Sequence, residues 1–230
     1  MSIGKLLIVE DDTAISGLLV KILTQNNYTV ICAYSGTEGK LLLKQEQFDC
    51  VLLDLMLPGL DGESLITELR REQTIPIIVI SAKFGTDARV NTLRLGADDF
   101  IPKPFEFEEV VARVEAQLRR NRIYSSTSQA TQILTWKNCV LNTDIAEIRV
   151  NDEMLNFTAL ELRIMEMLMR NPKRVFTRAN IFESCWEQSF FGDENTVDVH
   201  ISHIRNKIAK ANPDTEYIKT IRGIGFRMCE

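Results

Sequence analysis

The 230-residue sequence predicts a doubly wound parallel α/β domain followed by a smaller α+β domain, and three features carry that prediction. From Lys5 to Arg120, five short apolar runs alternate with segments whose apolar residues recur at helical spacing. Near-continuous apolar strands separated by helices need cover on both sheet faces, which a doubly wound fold supplies. A polar stretch with no apolar period, "NRIYSSTSQATQ" (121–132), then reads as a linker. Beyond it the apolar period drops to two and later returns to helical spacing, so the chain divides into 1–120, 121–132 and 133–230.

The expected strands of the first domain are "KLLIV" (5–9), "YTVICA" (28–33), "CVLLD" (50–54), "PIIVI" (76–80) and "DDFI" (98–101). Ile15, Leu18, Leu19, Ile22 and Leu23 illustrate the helical spacing between them. Five strand-helix units fit the flavodoxin-like (βα)5 arrangement, with strand order 2-1-3-4-5. In the second domain, "ILTWKNCVLNTDIAEIRVNDEMLNF" (133–157) alternates around Asn and Asp turn signals, the pattern of a small antiparallel sheet. Three helical segments follow: "TALELRIMEMLMRN" (158–171), "TRANIFESCW" (177–186) and "TVDVHISHIRNKIAKA" (196–211). The first opens on Thr158 and Glu161, a capping-box spacing, and stops before Pro172. "YIKTIRGIGFRMC" (217–229) reads as a hairpin with Arg222 at its tip. Sheet, three helices and hairpin together suggest a winged helix-turn-helix.

Composition bounds the function. At 45% hydrophobic and 26% charged residues the chain reads as globular, and no apolar run approaches the ~20 residues that span a bilayer. The start "MSIGKLLIVEDD" lacks a signal-peptide pattern, so a cytoplasmic protein with no membrane partner is expected. Five scattered cysteines without a C-x-x-C pair fit reduced thiols. Residues 1–120 carry 13 Lys+Arg against 18 Asp+Glu, and 133–230 carry 13 against 14. Neither half is basic, so nucleic-acid binding would need a local patch.

"VLLDLMLPGLDG" (51–62) ends an apolar strand on one carboxylate, Asp54, where a lone buried charge is costly. In a 2-1-3-4-5 sheet, ligands bind outside the carboxyl ends of the strands, at the switch point beside strands one and three. Glu10 and Asp11 close the first strand and would stand next to Asp54. Carboxylates this close repel, and a hard divalent cation such as Mg²⁺ or Mn²⁺ resolves the conflict. Ser81 ends the fourth strand and Lys103, in "IPKPF", follows the fifth, offering a hydroxyl and an ammonium to a group attached to Asp54. A carboxylate so flanked is equipped as the nucleophile toward a phosphoryl group. Singly, each piece has a plainer reading: Asp11 or Asp12 as a helix cap, Ser81 as a turn residue, Lys103 as a solvated charge. Their joint placement at four strand ends points to a site.

At these residues the chain resembles a known family. "LLIVEDD", "VLLDLMLPGLDG", "PIIVISA" and "LGADDFIPKPF" are similar to the receiver domain of bacterial two-component response regulators. "FTALELRIMEMLMRNPKRVFTR", "ENTVDVHISHIRNKI" and "IKTIRGIGFR" resemble the DNA-binding domain of the OmpR/PhoB class. The resemblance implies that a sensor histidine kinase phosphorylates Asp54. It implies that Asp11, Asp54 and the Met56 backbone carbonyl hold Mg²⁺, with Glu10 acting through water. Phe100 takes the aromatic switch position, where relatives more often carry Tyr. Phosphorylation is expected to drive homodimerisation through the fourth helix, fifth strand and fifth helix. The implied cross-subunit pairs are Arg89 with Glu109, Asp99 with Arg113, and Asp98 with Arg120, while Arg94 stands where relatives are often acidic. Solvated surface charge is the plainer reading of these residues.

A helix-turn-helix lays its second helix in the major groove. Asn195, Val199, His200, Ser202, His203, Arg205, Asn206 and Lys207 are therefore expected on or beside the surface facing double-stranded promoter DNA, with Val197, Ile201, Ile204 and Ile208 turned to the core. Lys173, Arg174 and Arg178 are candidates for phosphates, and Arg222 for the minor groove. His200 and His203 lack the further ligands a metal site needs. Ser202 and His203 replace cations common in relatives, so weak nonspecific binding is expected. The loop "EQSFFGDEN" (187–195) either touches RNA polymerase, by analogy, or is a plain surface loop. Two rival functions stand beside this reading: a haloacid-dehalogenase-like phosphatase, whose second Asp would fall at Met56, and a regulator that works without phosphate.

Overall fold

The structure, a computed structural model, describes residues 2–83, 86–126, 133–186 and 194–230. These separate into two compact units, Met1–Arg119 and Arg120–Glu230. The first alternates β1 (Gly4–Val9), α1 (Thr13–Gln25), β2 (Tyr28–Ala33), α2 (Gly36–Gln45), β3 (Cys50–Leu53), α3 (Gly62–Glu72), β4 (Ile77–Ser81), α4 (Thr86–Leu95), β5 (Asp99–Pro102) and α5 (Phe107–Ser126). All five strands run parallel in the order β2-β1-β3-β4-β5. Leu6, Ile8, Leu52, Ile78 and Ile80 pack with Leu19 and Leu23 of α1 and Val110, Val114 and Leu118 of α5. Their strand neighbours Leu7, Val9, Val51, Leu53, Ile77 and Val79 point to the other face and are equally buried. Both faces are covered, which is why these strands show no polar alternation.

Side-chain caps set where helices begin. Asp12 accepts from the N–H groups of Ala14 and Ile15 at the start of α1, and Asp61 accepts from Ser64 N–H at the start of α3. Most strand boundaries fall within one residue of expectation. Strand β5 spans Asp99–Pro102, one residue later than expected, although Asp98 N–H also reaches the Ile77 carbonyl (2.9 Å). Helix α5 continues to Ser126, so 121–126, read as linker, are helical: polar residues do not break a helix that carries no Pro or Gly. The side chains of 120–126 and the rest of the expected linker, 127–132, lie outside the described residues.

The second unit opens with an antiparallel sheet of β6 (Ile133–Trp136), β7 (Cys139–Asn142), β8 (Glu147–Val150) and β9 (Glu153–Leu155). Helix α6 (Ala159–Arg170) starts on the full capping box of Thr158 and Glu161. Strand β10 (Phe176–Thr177), α7 (Arg178–Trp186), α8 (Glu194–Ala211), β11 (Ile218–Ile221) and β12 (Gly225–Met228) complete it. The two-residue β10, too short to leave a period in the sequence, pairs with β12 and makes the hairpin a three-stranded sheet. At that crossing a Cβ on Gly225 would fall 1.9 Å from the Phe176 carbonyl oxygen. The core gathers Leu141, Ile148, Ile164, Leu168, Trp186, Ile201 and Ile204 from the sheet and all three helices. Among the described residues, no helix is long and apolar enough to cross a membrane.

Candidate functional site

Backbone ladders at the carboxyl end of the first sheet bring four loops together. Asp54 N–H donates to the Val9 carbonyl (2.9 Å), Glu10 N–H to Ala33 (3.0 Å) and Lys103 N–H to Ser81 (2.9 Å), extending each strand by one residue. The chain then turns back on Asp54: Gly62 N–H reaches Leu55 (3.1 Å), and a Cβ at Gly62 would meet the Asp54 carbonyl oxygen at 2.4 Å. Only glycine allows α3 to start this close to the Asp54 backbone.

Around Asp54 the side chains form one network. Lys103 Nζ lies 2.6 Å from Asp54 Oδ2 and 2.7 Å from Glu10 Oε2. Ser81 Oγ donates to Asp54 Oδ1 (2.8 Å), and Met56 N–H donates to the same oxygen (3.1 Å). Glu10, Asp11 and Asp54 place carboxylate oxygens within 4.8 Å of one another. Glu10, Asp54 and Ser81 are buried, while Asp11 and Met56 are exposed, so the cluster opens to solvent on one side. Phe100, the residue at the expected switch position, is buried.

The environment separates the two buried carboxyls. Burial pushes Asp54 up, but hydrogen bonds from Lys103, Met56 N–H and Ser81 outweigh it, so Asp54 is held below the usual aspartate range. For Glu10 burial wins over the hydrogen bond and charge of Lys103, and its pKa is raised. Burial lowers Lys103, but Asp54 and Glu10 more than restore it, leaving its pKa raised and the ammonium charged. The site therefore holds an ionised carboxylate already oriented by a cation and a hydroxyl.

The charges expected at a dimer face are largely engaged within the chain. Asp98 is buried and accepts from Arg70 Nη2 (2.7 Å) and Ile77 N–H (2.9 Å) within its own chain; the side chain of Arg120, its expected cross-subunit partner, lies outside the described residues. Arg70 also donates to the carbonyls of Gly96 (2.7 Å) and Ile75 (2.7 Å), fastening α3 to the loop before β5. Arg113, buried at 8% exposure, pairs with both oxygens of Asp99 (2.8 Å each) and with Glu109 (2.6 Å). Arg89 is half-buried on α4.

In the second unit α8 is the second helix of the helix-turn-helix. Asn195, Ser202 and Asn206 are exposed and His203 is half-buried, as are Arg205 and Lys207. Val199 and His200 correct the expected surface: they are buried at 5% and 2% exposure. The His200 ring stands edge-on to Trp186 (centroids 5.2 Å), which stacks on Phe182 (4.9 Å). Aromatic residues of α7 thus widen the buried arc of α8 beyond the isoleucine stripe. Lys207 Nζ is drawn to the buried Glu161 carboxylate (2.5 Å), Arg178 to Asp198, and Arg205 to β11. Lys173, Arg174 and Arg222 are exposed, with the Arg174 guanidinium 4.8 Å from the Phe176 ring centroid. Asp198 and Arg70 carry no signal in the sequence: each partner is distant in the chain, and no local period marks such pairs. Most of the loop 187–195 lies outside the described residues.

Comparison with known proteins matches both units. Residues 6–115 match the family described as Response regulator receiver domain, and 152–228 the family described as Transcriptional regulatory protein, C terminal. The uncharacterized transcriptional regulatory protein YcbL of Bacillus subtilis (strain 168) is 36% identical over 225 residues, covering 97% of this chain and 100% of that protein. A solved RitR mutant aligns with a TM-score of 0.80 at 25% identity over 99% of each chain. DrrB of Thermotoga maritima, described as an OmpR/PhoB homolog, aligns with a TM-score of 0.51 at 25% identity over the whole of both chains.

Proposed function

Since the chain belongs to the response regulators that join a receiver domain to an OmpR/PhoB-class winged-helix domain, we propose that Asp54 is the residue through which it receives its signal. The protein is a two-component regulator: a histidine kinase supplies its input, and its second domain binds DNA to regulate transcription. The observation that carries the Asp54 assignment is the ionised carboxylate clasped by Lys103 and Ser81, with Glu10 and Asp11 alongside.

The residues fit Mg²⁺. They offer three hard oxygen donors within 4.8 Å, and exposed Asp11 leaves room for the waters that this ion retains. When bound, Mg²⁺ supplies positive charge to the oxygens of the transferring phosphoryl group. Asp54 Oδ attacks phosphorus, the bond to the donor breaks, and an aspartyl phosphate forms. Lys103 pairs with the added charge, and Ser81 turns its hydroxyl from the carboxylate to a phosphoryl oxygen. Those two contacts pull on the ends of β4 and β5 beside buried Phe100. In this reading the α4-β5-α5 face then pairs two copies, and α8 and Arg222 meet promoter DNA, with residues 187–195 near RNA polymerase. A phosphatase reading fails at Met56, which cannot act as an acid, so the protein is a phosphoacceptor and not an enzyme acting on a substrate.

Incubation with acetyl phosphate and Mg²⁺, followed by intact mass measurement, tests the assignment. One added phosphoryl group is expected on the wild-type chain and none on Asp54→Asn. Equal labelling of both would overturn it.

A further inference from the structure

Three cations expected at the DNA-facing surface or at its phosphates, Arg178, Arg205 and Lys207, are engaged inside their own domain, and two of them converge on the hairpin. Arg205 of α8 donates from Nε and Nη2 to the Ile218 carbonyl (3.2 and 2.7 Å) and from Nη2 to Thr220 Oγ1 (2.8 Å), both on β11. Arg178, at the start of α7, donates to the two carboxylate oxygens of Asp198 on α8 (2.9 and 3.1 Å). Both guanidinium groups stand over the Phe226 ring of β12, at 5.2 Å for Arg178 and 5.9 Å for Arg205. One aromatic ring and two cations thus join α7, α8 and both hairpin strands. The tip beyond them is different: Arg222, Gly223 and Ile224 are exposed, and Gly223 turns at φ +72° with nothing within 4 Å of where a Cβ would stand.

We propose that Arg205, supported by Arg178, is a positioning residue that acts through Arg222. It fixes the offset between α8 and the hairpin tip, so that the exposed face of α8 and Arg222 reach adjacent grooves of one duplex together. This rests on the reading of Arg222 as the minor-groove contact. The physical reason is rigidity: a planar fork bonded to a strand carbonyl and a neighbouring hydroxyl, and stacked on a ring, fixes distance and direction together. A lysine ammonium, a point charge on a flexible stem, does neither.

A double-mutant cycle on the full-length chain tests this, using a short duplex recovered from a random-sequence pool by the wild-type protein with acetyl phosphate and Mg²⁺. Arg222→Ala is expected to weaken binding ~10-fold and to lose minor-groove protection beside the α8 footprint. Wild-type binding by Arg222→Ala would overturn the groove reading itself. Arg205→Lys, which keeps the charge, is expected to lose a similar factor and the same protection, and to cost nothing further in the Arg222→Ala background. A phosphate contact predicts the opposite: Arg205→Lys binds nearly as wild type, and Arg205→Met multiplies with Arg222→Ala while lowering the salt slope by about one. That pattern overturns the proposal. Thr220→Val removes one acceptor and leaves both arginines intact; it is expected to lose less, in the same direction, and only when Arg222 is present.

Discussion

Glu10 and Asp54 share Lys103, yet their pKa values move apart, and that difference has a measurable sign. Asp54 is depressed, so its stabilising contribution holds above the usual aspartate pKa and fades as pH falls through the lower folded value. Glu10 is raised, so the folded state favours its protonated form, and the charged form costs stability once pH rises past the ordinary glutamate pKa. Glu10→Gln is therefore expected to raise the Tm of the metal-free chain at neutral pH, with the gain shrinking toward pH 4. Thermal melts across that range check it; a uniform loss would contradict the assignment of burial as the cause. Asp54, Ser81 and Lys103 were legible in the sequence because strand ends can be found from apolar runs, and the topology brings those ends together. Burial of Val199 and His200 was not legible, because it depends on where the Trp186 and Phe182 rings of another helix lie. Asp98 likewise reads as a surface charge until Arg70, 28 residues earlier, is seen against it.

Helix α3 links the fold to the site through its first residue. Gly62 packs against the Asp54 backbone, and Asp61 caps the helix through Ser64 N–H. Because the nearest atoms to a new Cβ are backbone, they cannot rotate away, and the loop carrying Asp54 must move instead. Gly62→Ala is expected to cost about 1–3 kcal/mol in denaturant unfolding and to slow phosphoryl uptake more than Asp61→Ala, which removes only the cap, worth about 1 kcal/mol. Equal uptake by both variants would show that the close approach does not set the geometry of Asp54. Strands β1–β5 and the three helices of the second domain were readable from period and caps, since those patterns are local. Strand β10 and the last six residues of α5 were not: one is too short for a period, and the other carries a polar composition shared by helix surfaces and linkers.

Two charge distributions meet in the whole chain: an acidic receiver, and a second domain with no overall basic excess. Arg178, Arg205 and Lys207 are drawn to Asp198, β11 and Glu161, which leaves Lys173, Arg174 and Arg222 as the exposed cations among those expected at DNA. The unphosphorylated chain is therefore expected to bind random duplex DNA weakly at physiological salt, with a shallow salt dependence by fluorescence anisotropy. Under the proposed dimer, affinity is expected to come from two copies on paired half-sites. The intrachain pairing of Asp99, Arg113 and Glu109 shows that these residues can satisfy one another without a partner. In the proposed dimer, pairing two receivers exchanges existing ion pairs for new ones, so dimerisation is expected to respond to a modest input. The central claim is that a phosphoryl group on Asp54 controls this exchange. It is tested most directly by measuring mass in solution and affinity for a selected duplex, with and without acetyl phosphate and Mg²⁺, for the wild-type chain and Asp54→Ala. A shift from monomer to dimer and a gain in affinity are expected for the wild type alone; the same response from Asp54→Ala would contradict the claim.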